Sequence, residues 1–435
     1  MIRHVAKGSL DPAMAPIPDR SLPACCVAWI SVGMAAAGPP CSFDATKIPG
    51  LIHPILGERD VVMFDINSAG TAVGWCAWTI VQRPGVWTEA QGTKQIPVGV
   101  PGLSEGQAVR INENGWILVN AWVPGGHRGF VLKPNGSAWE WIEMKPASPG
   151  GWSSVYGIND SNEVVGVQSM GMEGDPVHPF GGFKWSPEEG KSDVLIPGWT
   201  STECYDINNK GDIVGNVSID VEATIGVSGR GFVLTGSTVT LLPVPPAPYT
   251  KSQAKRITDG GLVGGNLLSQ DNKVYRGILF DPGSGEMTII EPMAGFGSWV
   301  LEDLNAHGAA CGWAYTEWFD PDYAACVLPA GEASLLQLDD LVDERSVPHL
   351  PAAYGIHESF AIVAAAAGTP CCDAFLLEAN AVGRLGDLDC DGKTGSSDLA
   401  AMLGVWGTPD QSADLDGSGL VDGADVGLLL ASWSG

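Results

Sequence analysis

Two twelve-residue segments near the C-terminus carry side chains suited to holding a hard cation. The first runs Asp387-Leu388-Asp389-Cys390-Asp391-Gly392 and ends at Asp398; the second runs Asp414-Leu415-Asp416-Gly417-Ser418-Gly419 and ends at Asp425. Oxygen donors at positions 1, 3, 5 and 12, a main-chain carbonyl at 7 and a sharp-turn Gly at 6 are what Ca²⁺ requires. Position 7 is Lys393 in one copy and Leu420 in the other. The expected ligands are therefore Asp387, Asp389, Asp391, the Lys393 carbonyl and Asp398 for one ion. For the second they are Asp414, Asp416, Ser418, the Leu420 carbonyl and Asp425. Carboxylates crowded this closely repel one another when no cation separates them. The tail is expected to be disordered without calcium and compact with it. A single Asp-rich turn is commonly just a solvated loop, but two copies 27 residues apart favour two ion sites.

Each loop leads into a short apolar segment, Leu399 to Trp406 and Val426 to Trp433, with its large side chains at helical spacing. No helix is expected ahead of either loop. Asn380 to Gly386 is short and holds two Gly, and Gly404 to Ala413 contains Gly407 and Pro409, which oppose helix continuation. A duplicated loop-helix without an entering helix resembles the dockerin type I modules, over residues 387 to 433. That resemblance implies a cohesin-like or cell-wall partner recognised through loop positions 10 and 11. These fall on Ser396-Ser397 in the first copy and on Gly423-Ala424 in the second, so the polar pair is present once. Attachment or folding support is the other role the resemblance implies.

The rest of the chain is a repeat. Seven times a short apolar run reaches a dipeptide such as Ile-Asn, breaks over a turn that usually includes Gly, and restarts. The key positions are Asn67, Asn112, Asn159, Asn208, Thr258, Asn305 and His357, 45 to 52 residues apart. That period favours a propeller blade over shorter solenoid units. Asn caps turns through its side chain and Gly accepts positive φ, so each break is a hairpin. A third run follows, as in Gly129-Phe130-Val131-Leu132 and Gly231-Phe232-Val233-Leu234. A fourth is expected at Trp139 to Ile142, Asp193 to Ile196, Val239 to Leu242, Met287 to Ile290 and Leu335 to Leu338. Four short strands per unit without helical periodicity describe antiparallel blades. Asp44 to Gly50 resembles the fourth strand Ser192 to Gly198 yet precedes the first hairpin. It is expected to close the last blade, near Leu377, with Val382 to Leu385 as a competitor. The hairpins and the Asp373-Ala374-Phe375 third strand resemble the HAF-repeat family of extracellular proteins over roughly residues 45 to 385, which implies the same architecture and export.

A formal charge of −27, from 50 acidic and 23 basic residues, argues against nucleic acid and anionic membranes as partners, because phosphate neutralisation needs clustered Lys and Arg. Leu22 to Gly38 is an apolar stretch ending in small residues, expected to be a signal peptide cleaved near Ala37; it is too short for a spanning helix. Export makes the protein secreted or extracellular. It leaves eight Cys, among which Cys311 and Cys326, in one blade, are the expected disulfide. No Cys-x-x-Cys or paired-His spacing suggests zinc.

No catalytic motif stands out. His127, His178, His307 and His357 fall near blade turns, and Glu302-Asp303 is a carboxylate pair whose glycosidic use depends on spatial separation. Of sixteen Trp, Trp75 and Trp313 share one repeat position and are expected to pack between blades. Trp116, Trp122, Trp152 and Trp318 occupy non-equivalent places and are the candidates for stacking on carbohydrate. The expected molecule is all-β: a leader (1–38), a seven-bladed β-propeller of four-stranded antiparallel blades (39–385), and a small α-helical calcium-binding module (386–435). Its expected role is that of an extracellular binding or scaffold protein. The alternatives are a polysaccharide hydrolase or lyase with its site in the propeller's central pocket, and a structural surface protein.

Overall fold

The computed structural model describes residues 42–433 apart from 56, 78–80, 137, 172–179, 220–228, 318–321, 343–346, 368–371, 380–385, 387, 389–393, 409–412, 414, 417 and 419. The leader, Cys41, His178, Trp318, Cys371, Val382 to Leu385, and the loop ligands Asp387, Asp389, Asp391, Lys393 and Asp414 lie outside the described residues.

Seven four-stranded antiparallel sheets follow one another as blades. Strand β1 (Phe43–Ile48) comes first, then a small hairpin, β2 (Ile52–His53) and β3 (Gly57–Glu58). Blade 1 is β4 (Val61–Ile66), β5 (Ala72–Ala77), β6 (Gln82–Thr88) and β7 (Gly92–Gln95). Blade 2 is β8 (Glu105–Ile111), β9 (Ile117–Val123), β10 (Gly126–Asn135) and β11 (Ala138–Met144). Blade 3 is β12 (Ser153–Ile158), β13 (Val164–Ser169), β14 (Phe180–Ser186) and β15 (Gly190–Val194). Blade 4 is β16 (Ser201–Ile207), β17 (Ile213–Ser218), β18 (Arg230–Thr235) and β19 (Thr238–Leu241). Blade 5 is β20 (Tyr249–Ile257), β21 (Val263–Ser269), β22 (Tyr275–Asp281) and β23 (Glu286–Ile289). Blade 6 is β24 (Ser298–Leu304), β25 (Ala310–Tyr315), β26 (Tyr323–Leu328) and β27 (Leu336–Gln337). Blade 7 is β28 (Ala352–Ile356), β29 (Ile362–Ala367) and β30 (Cys372–Ala379), completed by β1. The pairing Phe43↔Ala379 through Ile48↔Ala374 joins the two ends of the chain and closes the ring, as the resemblance of Asp44 to Gly50 to a fourth strand predicts.

The first strand of each blade is innermost, and every one carries a bulge at the same place, just before the key Asn, Thr or His. Val119 and Ala364 stand opposite the bulge in blades 2 and 7, and in the other five blades the strands run so close together that Gly74, Gly166, Gly215, Gly265 and Gly312 take that place. A Cβ there would overlap a carbonyl oxygen of the inner strand. The Gly that ends the second run of the repeat is thus a record of the bulge.

The key Asn has two duties. Its Oδ1 accepts the main-chain N–H four residues on, from Thr71, Trp116, Glu163, Asp212 and Ala309 at 2.9–3.1 Å, which closes the hairpin. Its Nδ2 donates to the carbonyl of the equivalent residue in the next blade. Asn67 bonds Asn112, Asn112 bonds Asn159, Asn159 bonds Asn208, Asn208 bonds Thr258, and Asn305 bonds His357, at 2.9–3.2 Å. Between these polar straps, apolar side chains from facing sheets interlock. Val73, Ile117 and Phe130 join blades 1 and 2, and Cys311, Val327, Ile362 and Phe375 join blades 6 and 7.

Two expectations are corrected. Cys311 and Cys326 are buried free thiols. Cys311 pairs with Val327 and Cys326 with Gly312, so the sulfurs lie on opposite faces of the sheet, in different inter-blade cores. The fourth strands also differ from the reading in two blades, displaced to Gly190–Val194 in blade 3 and cut short in blade 6. In blade 3 it ends at Val194, and in blade 6 it is only Leu336–Gln337, because Leu338–Leu341 turns into a 3₁₀ helix. There Asp339 accepts from the Leu350 N–H and meets His349 at 2.6 Å, which draws the chain away from the sheet edge.

Replacing Asn159 with Ala removes a cap and a strap together and leaves buried main-chain groups unpartnered. Urea denaturation is expected to show a loss of about 1–3 kcal/mol, with no comparable loss for the exposed Lys210→Ala in the neighbouring turn.

Candidate functional site

Because the innermost hairpins all turn at one end of the ring, their tips surround the axis and form the mouth of a cup of ≈ 710 Å³. In five of the seven blades the tip residue after the key position hands a hydrogen bond to the next blade. The Ser68 N–H and hydroxyl donate to Glu113, Glu113 N–H to Asp160 (3.0 Å), Asp160 N–H to Asn209 (2.7 Å), Asn209 N–H to Asp259 (2.8 Å), and Ala306 N–H to Glu358 (2.8 Å). Four carboxylates therefore ring the mouth. His357 lies 3.5 Å from Glu113 and His307 lies 4.0 Å from Glu358.

The floor is built from the residue at the bulge, two before the key position: Asp65, Arg110, Asp206, Arg256 and Asp303. Blades 3 and 7 have Gly157 and Gly355 at this place, where a Cβ would stand 2.6 Å from the Asp206 Cα and 2.7 Å from the Phe64 carbonyl oxygen. Each floor carboxylate also accepts from the next blade, Asp65 from Ile111 N–H (2.9 Å), Asp206 from Ile257 N–H (3.1 Å) and Asp303 from Ile356 N–H (3.0 Å). Across the axis Arg110 reaches Asp65 at 3.3 Å and Asp303 at 2.9 Å, while Arg256 reaches Asp303 at 2.7 Å.

These environments drive the floor carboxyls apart. Burial raises Asp65 to about 6, against the pull of Arg110 and with the repulsion of Asp303 added. Burial opposes ionisation of Asp303 too, but Arg110 and Arg256 together hold it below the usual carboxylate range. Burial also raises Asp206, with Arg256 and Arg110 only partly compensating. At the rim, burial raises Glu358. The cup thus offers an ionised carboxylate and a protonatable one joined by a guanidinium, beneath a ring of acceptors.

His307 and His357 are brought to this mouth. His127 is not; it lies at the other end of blade 2, its ring against Trp122 and its Nδ1 3.1 Å from the Ser153 carbonyl oxygen. Glu302 and Asp303 do not act as a pair. Asp303 belongs to the floor, whereas Glu302 binds Lys255 at 2.5 Å and accepts from the Trp313 indole at 3.2 Å. Of the stacking candidates, Trp116 is buried among Leu118, Val131 and Trp185, which corrects its expected role: it fills an inter-blade core. Trp122 is 53% exposed and Trp152 is half-buried against Phe180, both at the end opposite the cup. The floor charges were missed from sequence, although aligning the seven repeats on the key position would have put Asp, Arg, Gly, Asp, Arg, Asp and Gly in one column.

The C-terminal segment has two helices, α1 (Ser396–Gly404) and α2 (Gly423–Ala431), around Met402, Ala413, Val421 and Leu429. Ser396 and Ser397 are exposed in the first turn of α1. Asp398 and Asp425 are fully buried. Asp398 accepts from Leu388 and Gly395 N–H at 2.6 Å; Asp425 accepts from Asp416 N–H at 3.1 Å and Asp422 N–H at 2.7 Å. Asp416 and Ser418 are exposed, with Ser418 N–H bonded to Asp416, and Leu420 is exposed. Among the described residues no group of three or more His, Cys, Asp or Glu is placed to hold a metal ion, and no helix is long and apolar enough to cross a membrane.

The fold and site define the molecule as a seven-bladed β-propeller. An oligogalacturonate lyase from Vibrio parahaemolyticus shares it, with TM-score 0.50 and 9% identity over 78% of this chain and 97% of that one. An oligogalacturonate lyase in complex with manganese gives 0.48 and 9% over 80% and 98%, and TolB from Acinetobacter baumannii 0.38 and 10% over 71% and 80%. No family model and no curated protein matches the chain.

Replacing Arg110 with Met leaves Asp65 and Asp303 buried without their shared cation, a loss expected at about 3–5 kcal/mol near neutral pH. The Asp303 contribution exists above its ordinary pKa and fades as pH falls through its depressed folded value. Asp65, raised instead, favours folding below 3.8 and loses that contribution as pH rises through about 6. The gap between wild type and variant in denaturant midpoint should therefore narrow on acidification; a gap independent of pH would refute this account of the floor.

Proposed function

We propose that the protein is an extracellular, carbohydrate-directed propeller whose axial cup receives a neutral glycan and whose C-terminal segment closes around two calcium ions to attach it to a partner. The observation that carries the reading is the cup itself, ≈ 710 Å³ of concave space in which carboxylates, amides and charged floor groups converge. That volume lies in the range of small-molecule sites. Carboxylates and amides side by side match the vicinal hydroxyls of a sugar. Four rim acids above a floor of three acids and two arginines repel uronate or sulfated sugars, so the ligand assigned here is neutral, unlike the oligogalacturonate in the name of the Vibrio parahaemolyticus lyase. Isothermal titration with neutral and uronic oligosaccharides is expected to give binding of the neutral series only, weakened about tenfold or more (≥ 1.4 kcal/mol) by Glu113→Gln or Asp259→Asn. Binding that ignores both substitutions would remove the cup from the proposal.

A second reading, glycoside hydrolysis, is favoured by the opposite displacement of Asp65 and Asp303 on either side of Arg110. Carboxyls pushed apart in this way take the separate parts of proton donor and ionised stabiliser. Release of new reducing ends from a neutral polysaccharide should fall as pH rises through about 6 and vanish in Asp65→Asn. An unsaturated product would indicate elimination instead.

Calcium is proposed on the donor set. Both loops end on a fully buried carboxylate that opens a helix. Burial opposes ionisation of Asp425, and the N–H groups of Asp422, Asp416 and Leu415 outweigh it, holding the carboxyl below its ordinary value. An ionised, oxygen-rich loop is what a hard cation needs. The ligands would be Asp387, Asp389, Asp391, the Lys393 carbonyl and Asp398, with Asp414, Asp416, Ser418, the Leu420 carbonyl and Asp425 for the second ion. The exposed Ser396-Ser397 pair is the proposed contact for a cohesin-like or wall protein, and the leader the proposed export signal. Calorimetric titration of Ca²⁺ should find two sites in the wild type and one in each of Asp398→Ala and Asp425→Ala; absence of binding heat would remove calcium from the proposal.

A further inference from the structure

Asn followed by Gly occurs twice in this chain, as Asn114-Gly115 and Asn135-Gly136. In such a pair no side chain shields the Gly main-chain nitrogen from the Asn carboxamide, and the two groups can react with each other. Both pairs stand at hairpin turns of blade 2, Asn114-Gly115 between β8 and β9 and Asn135-Gly136 between β10 and β11. The two turns are placed alike in sequence but differ in how their reacting groups are held.

At Asn114 each group is engaged. Its Nδ2 donates to the Asp160 carbonyl oxygen of blade 3 at 2.6 Å. The Gly115 N–H donates to the Asn112 carbonyl oxygen at 3.0 Å, and the same turn is closed by the Trp116 N–H on Asn112 Oδ1 at 2.9 Å. Bringing the Gly115 nitrogen onto the Asn114 carboxamide would break the strap to blade 3 and the turn together. Asn135 and Gly136 are both exposed. Among the described residues neither the Asn135 carboxamide nor the Gly136 N–H has a hydrogen-bond partner. The direction a Cβ would take at Gly136 is open for 4 Å. Rotation about Asn135 disturbs only the last pair of the β10–β11 ladder, Asn135↔Ala138, and the terminal pair of a hairpin opens at little cost.

We propose that Asn135 is a site of spontaneous modification in the folded protein, cyclising with Gly136 to a succinimide that water opens to aspartate and isoaspartate, while the rim residue Asn114 is protected. The Gly136 nitrogen loses its proton and bonds to Asn135 Cγ; the bond from Cγ to Nδ2 breaks and ammonia leaves. Water then adds to one of the two imide carbonyls. Attack at Cγ gives aspartate, and attack at the main-chain carbonyl carbon gives isoaspartate, with the chain now running through Cγ. One water is consumed, one ammonia is released, and nothing is oxidised or reduced. Either product adds a negative charge, and isoaspartate also adds a methylene to the main chain at the turn into β11. The hydrogen bonds that tie blade 2 to blade 3 at the mouth thus keep Asn114 from becoming a further rim acid. This inference stands apart from the carbohydrate reading and survives its failure.

The test incubates the full chain at mildly alkaline pH, folded and in urea, and follows both sites by tryptic mass mapping, since cleavage at Arg128 puts them in different peptides. In the folded protein the Asn135 peptide is expected to gain the mass of an amide-to-acid conversion and to split into aspartate and isoaspartate forms, while the Asn114 peptide stays unchanged. In urea both peptides should convert at similar rates. Equal conversion of the two sites in the folded protein would overturn the protection of Asn114. Conversion of Asn135 in urea but not in the folded protein would overturn the assignment of the site, as would an Asn114 peptide that resists conversion in urea as well.

Discussion

The molecule depends on one local irregularity, the bulge in each innermost strand. A regular strand would point successive side chains to alternate faces, so only one of two neighbours could meet the axis. The extra residue turns the strand and lets consecutive side chains serve different levels. Phe64 and Asp65, Tyr205 and Asp206, Lys255 and Arg256, and Glu302 and Asp303 are such pairs, the second facing the floor and the first meeting a side chain of a neighbouring blade, Tyr354, Tyr156, Glu302 and Lys255 in turn. The same turn presses the inner strand against the second one, which excludes a Cβ at Gly74 and its equivalents. Bulge, Gly and capping Asn form one device, complete in blades 1, 3, 4 and 6, while every blade keeps the bulge.

That device also explains why charge is tolerated at the centre. Burying a carboxylate is unfavourable unless it is hydrogen-bonded and paired. Each floor Asp sits where the neighbouring blade offers a main-chain N–H that has no strand partner of its own. Two arginines against three carboxylates leave the floor short of positive charge, and burial, with the repulsion of Asp303 added, raises the pKa of Asp65 and Asp206. The acidic rim above deepens the same field. Apolar side chains of similar volume in place of a buried ion pair are often neutral or stabilising, so the charged floor adds little to what already holds the blades together.

Much of the ring was legible in the amino-acid sequence because its strongest constraints are local. The Asn that caps a hairpin, the Gly opposite a bulge and the extra strand at Asp44 to Gly50 all leave a mark within a few residues. What was not legible depends on relations between blades. Cys311 and Cys326 are close in sequence and lie on adjacent strands, yet face different cores because side chains alternate. Trp116 follows a turn, as a ligand-stacking residue might be placed, but the next blade covers it. The floor charges look like ordinary turn-solvating residues until seven copies are laid over one another. At the C-terminus, Asp398 and Asp425 are buried at the start of α1 and α2, where the two acidic segments end.

The axis is therefore unlike at its two ends, and the difference follows from where the chain turns. At the cup, every inner hairpin exposes a turn, and turns favour Asp, Asn, Ser and Glu, whose side chains bond nearby main-chain groups. Acidity there is a by-product of the turn chemistry that closes the ring. At the other end the inner strands begin, and their residues are chosen as strand residues, among which Tyr, Phe and Val predominate. Seven copies of one fold unit thus produce a polar mouth without any segment dedicated to it.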